Sequence, residues 1–126
     1  MKKYIGTKVI MAEPMTMTEA QKVLGRELKP TTEEEDGYLV EYKDGYKSWS
    51  PKSVFEDAYK YTETVLDRLE IELTELTYKQ DKLNKFFDTD IFKSLPKQKK
   101  TLLQAQFGAM LAYSQILVER IRVEEE

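Results

Sequence analysis

The sequence predicts an α+β fold: a small antiparallel sheet with one short helix, followed by a long antiparallel two-helix hairpin that oligomerises. Three observations carry this prediction. Before residue 50, apolar residues alternate and turn signals are frequent. After it, apolar residues recur at helical spacing almost to the end. The second half also holds more apolar helix surface than two helices can bury against each other. Two segments are therefore expected: residues 1–50 as the β domain and residues 51–126 as the helical hairpin.

Tyr4 to Ala12 reads as a strand, with Tyr4, Gly6, Lys8 and Ile10 on one face and Ile5, Thr7, Val9 and Met11 on the other. Pro14 ends it. Thr16-Met17-Thr18-Glu19 has the form of a capping box, which predicts a short helix from about Met17 to Leu24. Gly25 is placed to stop that helix. Residues 29–36 form a polar loop, and its Glu33-Glu34-Glu35-Asp36 run is expected to be solvated. Two aromatic-rich runs, Gly37 to Tyr42 and Tyr46 to Ser50, flank Asp44-Gly45, which predicts a β-hairpin.

Ser50-Pro51 opens the second half. Pro suits the first helical position, and Ser53 with Glu56 offers another capping box. The apolar positions from Phe55 to Phe87, with no Gly or Pro between them, predict one helix of roughly 36 residues, about 54 Å long. Positions 55, 62, 69, 76 and 83 lie seven residues apart, a coiled-coil-like spacing. Asp88-Thr89-Asp90 breaks the pattern. A second long helix is expected from near Lys97 to about Arg122. Leu103, Phe107, Met110, Leu117 and Ile121 make one stripe on it, and Leu102, Ala109, Tyr113, Ile116 and Val123 another. One stripe packs on the first helix; a second copy of the chain is the expected cover for the other.

Composition narrows the function. Among 126 residues there is no Cys and no His. Disulfides, thiolate metal sites and Cys nucleophiles are thereby excluded. So are the usual neutral-pH acid/base, the commonest zinc ligand and the base of most nucleophilic triads. No enzyme is expected, and no catalytic residue or cofactor. A net charge of −3 does not make a nucleic-acid footprint. The N-terminus has no apolar signal region and no stretch spans a membrane, so a cytoplasmic location is expected.

Four places could hold a ligand, each with a plainer structural reading. Phe86, Phe87 and Phe92 lie near Lys85, Lys93, Lys97, Lys99 and Lys100, so aromatic faces and cations could take a purine and its phosphates. The plainer reading is a plug at the end of the hairpin with a solvated rim. Near the chain's end, Gln104, Tyr113 and Arg120 could meet a phosphate at an oligomer contact. Equally, Arg120 could pair with a Glu of a neighbouring copy. Trp49 precedes a helix N-terminus, which suits an anion, or it is the core residue joining sheet to helix. Arg26, with Lys22, is the fourth.

The opening MKKYIGTKVIMAEPM and the segment DGYKSWSPKSVFEDAY at 44–59 resemble small phage proteins. Leu102-Leu103-Gln104, Met110, Tyr113, Leu117 and Arg120 resemble the helical hairpin shared by two groups of phage anti-defence sponges, one countering Thoeris and one countering CBASS. A sheet domain joined to that hairpin is more similar to the Thoeris-type sponge. The resemblance implies a homo-oligomer, dimer or hexamer, in the host bacterial cytoplasm. It would bind glycocyclic ADP-ribose, and in some relatives cyclic di- or trinucleotides, without degrading it. The ligand-binding residues expected are Phe86, Phe87, Phe92, Lys100, Gln104, Tyr113, Arg120, Trp49 and Arg26. A phage protein that occludes a host protein with its hairpin is the alternative.

Overall fold

The computed structural model describes residues 1–29 and 33–126. Pro30, Thr31 and Thr32, part of the expected polar loop, lie outside the described residues. The chain divides into two compact units, Met1–Lys60 and Tyr61–Glu126.

The first unit holds β1 (Met11–Pro14), α1 (Met17–Leu24), β2 (Gly37–Glu41), β3 (Lys47–Pro51) and α2 (Lys52–Ala58). The sheet runs β1-β2-β3, antiparallel throughout, with Met11 opposite Glu41 and Leu39 opposite Trp49. The first strand is shorter than Tyr4–Ala12 and shifted toward Pro14. The register gives the reason. Met11 pairs with the last residue of β2, and beyond Glu41 the partner chain turns back on itself, so residues 4–10 have no strand to pair with.

The short helix forms as the sequence predicts. Thr16 Oγ1 accepts the Glu19 N–H at 3.2 Å, and Gly25 closes the helix in a left-handed conformation, φ 67°. The β-hairpin forms too. Tyr42 N–H donates to the Tyr46 carbonyl at 2.9 Å, and Gly45 has φ 88°. The central strand is covered on both faces. Tyr38 stacks on Phe55 of α2, ring centres 4.1 Å apart, on the Val40 side. On the other side Leu39 and Trp49 are buried, and Ala20 of α1 is fully buried.

The long helix expected from residue 51 is instead two helices. Tyr59 is already extended (φ −131°, ψ 144°), and the next helix begins only after Thr64. The cause is local. Tyr59, Tyr61, Thr62 and Thr64 are aromatic or β-branched and weaken the helix. Thr64 and Asp67 then form a reciprocal capping box that starts a new one. Pro51 precedes α2 as its N-cap rather than lying inside it.

The second unit is α3 (Val65–Phe86), a one-turn α4 (Asp90–Lys93) and α5 (Lys97–Glu124). Gln80 meets Ser114 while Phe87 meets Phe107, so seven residues forward on one helix match seven back on the other. The two helices are therefore antiparallel. Leu69, Leu76 and Leu117 make the core, joined by Leu73, Met110 and Ile121. These positions repeat every seven residues on both helices, the packing of a coiled coil. One layer is polar: Gln80 is buried, with its amide nitrogen 3.5 Å from Ser114 Oγ. Among the described residues no helix is long and apolar enough to cross a membrane.

Candidate functional site

Most of the aromatic candidates are consumed by packing. Trp49 is buried, and its indole N–H donates to the Met15 carbonyl at 2.8 Å. It is a core residue tying β3 to the start of α1, not a pocket wall. Phe92 is buried at the turn between the long helices. Phe86 and Phe87 meet it edge-on, with ring centres 5.9 and 4.9 Å away, and Phe107 meets Phe87 at 5.6 Å. These are edge-to-face contacts, an arrangement that caps this end of the hairpin. Lys100 is half-buried beside this end, and the neighbouring lysines are exposed.

Arg26 is also occupied. It donates to the Lys47 carbonyl at 3.2 Å and the Tyr46 hydroxyl at 3.3 Å, and it lies 5.6 Å from the Tyr46 ring centre. The helix N-terminus after Trp49 already has its anion, from within the chain. Glu34 accepts both the backbone N–H and the hydroxyl of Ser53, the N–H at 3.0 Å. Glu35 does the same for Thr18 at the start of α1, its N–H at 2.9 Å. Neighbouring carboxylates thus cap the two helices of the first unit. Glu33, Glu35 and Asp36 of this acidic run are exposed, as expected, and Glu34 is half-buried; the capping by Glu34 and Glu35 is an added role. The hydrogen bonds from Ser53 and Thr18 hold both carboxyls below the usual carboxylate range. No spacing rule could have found these caps, because the partners are 17 and 19 residues away.

What remains open is one face of α5. At about 100° per residue, Leu102, Ala109, Tyr113, Ile116 and Arg120 fall on one side of the helix. The core residues Leu103, Met110, Leu117 and Ile121 fall on another. Leu102 is 63% exposed, Ile116 58% and Val123 55%. The second stripe foreseen from the sequence is therefore bare in the single chain. Gln104 is nine residues from Tyr113, which places it about half a turn away on the opposite side. Lys100 also lies away from this face. Of the nine candidates, Phe86, Phe87 and Phe92 meet one another in the packed end of the hairpin, and Tyr113 and Arg120 share the open face of α5, about two turns apart.

Beside them a shallow groove of about 630 Å³ runs from Ala112 to Glu124. Its lining comes entirely from α5, with Ile116 and Val123 as its apolar part and Arg120 and Arg122 as its cations. The two arginines differ. Arg122 is held by Glu119 at 2.9 Å and Glu126 at 2.8 Å, so its charge is neutralised within the helix. Arg120 makes no ion pair among the described residues. Its charge is free for an anion that arrives from outside. Among the described residues no cluster of acidic side chains is placed to hold a metal ion.

Fold and site together define a chain with a sheet unit and an antiparallel helical hairpin, whose exposed face carries apolar side chains, Tyr113 and an arginine with no ion pair among the described residues. Residues 63–123 match the family model described as Sequestin, so the similarity covers the hairpin, just under half of the chain. No curated protein and no solved structure matches the chain. The matched segment begins next to Thr64, the cap of α3, and ends at Val123, the last apolar residue of the open face.

Proposed function

We propose that this protein is a non-catalytic phage anti-defence protein that binds and sequesters a nucleotide-derived immune signal of the ADP-ribose type, glycocyclic ADP-ribose first among them. The observation that carries the reading is that Tyr113 and Arg120, which has no ion pair among the described residues, lie about two turns apart on one exposed apolar face of α5, inside the segment similar to the Sequestin family. An adenine ring stacks on the tyrosine and the diphosphate takes the guanidinium, which offers two parallel N–H donors. The family's name supports holding a ligand rather than converting it. The absence of His and Cys from the sequence supports the same conclusion.

The groove has only one helix for a wall, so one copy does not enclose a ligand. In this reading a second copy supplies the opposite wall and covers Leu102, Ile116 and Val123 in a homo-oligomer. Calorimetric titration against linear and cyclic ADP-ribose derivatives, cyclic dinucleotides and cyclic trinucleotides tests the proposal. Submicromolar binding of one species, recovered chemically unchanged after the protein is denatured, is the expected result. Arg120→Glu and Tyr113→Ala should each weaken that binding by at least about tenfold, one charge-assisted or stacking contact. Titrations without heat and without thermal stabilisation across the whole panel would refute the sponge.

The bare stripe supports one other reading, in which the hairpin covers a groove on a host protein. Light scattering separates the two. A monomer at micromolar concentration favours the host-protein reading, and a stable oligomer favours the sponge.

A further inference from the structure

The first unit lies outside the matched segment, and it carries a groove of its own. Lys8 to Ile10 form one side and the β2–β3 turn, Tyr42 to Tyr46, forms the other, enclosing about 430 Å³. That volume falls within the range of about 300–1,000 Å³ usual for small-molecule sites. We infer that this groove is a second ligand site, one that takes a planar aromatic ring bearing a phosphate, such as a nucleoside monophosphate.

The chemistry is laid out in a row. Lys8 Nζ lies 6.0 Å from the centre of the Tyr42 ring. The Tyr42 and Tyr46 rings are nearly parallel, 20° between planes and 6.2 Å between centres. The Arg26 guanidinium closes the row over Tyr46. Tyr46 is 54% exposed and Val9 69%, so aromatic and aliphatic surface faces water beside these cations. Cross-strand packing accounts for the tyrosine pair, since both flank a tight turn. It does not account for Lys8, which belongs to a segment with no strand partner yet lies over the ring. Among the described residues neither Lys8 nor Lys43 has a carboxylate at ion-pair distance. The one acid in the groove, Asp44, is engaged by the Tyr46 N–H at 3.0 Å within the turn. A base therefore packs against the exposed Tyr46 and Val9 side chains that line the groove, and its phosphate meets the ammonium groups of Lys8 and Lys43.

The test uses the full chain, isotope-labelled, titrated by NMR with AMP, with adenosine and with inorganic phosphate. AMP is expected to shift the amides of residues 8–10 and 42–46 in a saturable manner, more tightly than either component alone. Lys8→Glu lies on an exposed side chain and should weaken AMP binding at this site about tenfold, the loss of one charge-assisted contact. Tyr42→Phe keeps the ring and should bind as the parent does. Arg120→Glu alters the other site and should leave these shifts intact, so failure of the α5 reading is distinguishable from failure of this one. Amides 8–10 and 42–46 that do not move with AMP would overturn the inference. So would parent-like AMP affinity in Lys8→Glu.

Discussion

Gly37→Ala should cripple the first unit. A Cβ at this position would lie 2.2 Å from the Ser50 carbonyl oxygen and 2.5 and 2.6 Å from two atoms of the Trp49 indole. Carbon contacts are comfortable near roughly 3.5–4 Å, so each overlap exceeds about 1 Å. Neither neighbour yields easily. The Ser50 carbonyl is backbone of β3, paired in register with β2. The indole is buried and held by its bond to the Met15 carbonyl. Overpacking costs about 1–3 kcal/mol and loss of the indole bond about 1 kcal/mol more, a total of about 2–4 kcal/mol. A unit of this size has only a few kcal/mol of stability in total, on the order of 3–5. Trp49 is the sole tryptophan, so its emission reports this unit specifically. The variant should show red-shifted emission with little or no denaturant, against a cooperative transition in the parent. Parent-like emission, with a urea midpoint shifted by less than roughly 0.5 M, would refute the steric argument, since the slope for so small a unit is about 1 kcal/mol per M.

Three further outcomes are expected. Leu117→Ala empties a fully buried site between Leu69 and Leu76 and should destabilise the hairpin by about 2–5 kcal/mol, read as helical ellipticity during thermal unfolding. Glu34 and Glu35 have depressed folded-state pKa values, so their stabilising effect is full above the ordinary carboxylate pKa and is lost as pH falls through the depressed values. Stability followed by Trp49 emission should therefore drop below about pH 4, and the Glu34→Gln, Glu35→Gln double variant should flatten that dependence. Gln80→Ala removes one partner of the buried polar layer and should lower the hairpin's midpoint by more than the matching change at exposed Gln106, because Ser114 is left facing an unfilled site.

The short-range rules carried a large part of the fold. The Thr16 cap, the Gly25 stop, the Asp44-Gly45 turn and the start at Lys97 are all set within a few residues, and each formed where its pattern predicts. The Leu103-to-Ile121 stripe was legible because seven-residue spacing directly encodes which side chains share a face. Two errors have a common origin. The strand at Tyr4 and the continuous helix through Tyr59 and Thr64 each followed local pattern past the point where a partner was needed. A strand requires a neighbour, and β2 ends at Glu41. A helix through weak formers competes with a better start just beyond, and the Thr64–Asp67 box, readable as Thr-x-x-Asp, supplied it. Glu34, Glu35 and Gly37 had no signal at all, because their roles depend on what the fold brings from 12 or more residues away.

The site was legible in a different way. Sequence chemistry flagged aromatics and cations together, but such residues are equally the material of cores and caps. Trp49 and the three phenylalanines were taken by the apolar interior, and Arg26 by a carbonyl and a ring. What separates Tyr113 and Arg120 from them is that folding the single chain leaves them unsatisfied. The contrast on one helix is sharpest between the two arginines. Arg122 has two carboxylates within 2.9 Å, and Arg120, two residues earlier and turned by about 200°, has none among the described residues. Exposed Ile116 and Tyr113 flank this guanidinium, so apolar surface and an unneutralised charge face water on the same side of α5. Neutralising that arginine while keeping its stem, Arg120→Gln, should therefore reduce ligand affinity without lowering the hairpin's own melting temperature. If it lowered both equally, Arg120 would be holding the fold rather than a ligand.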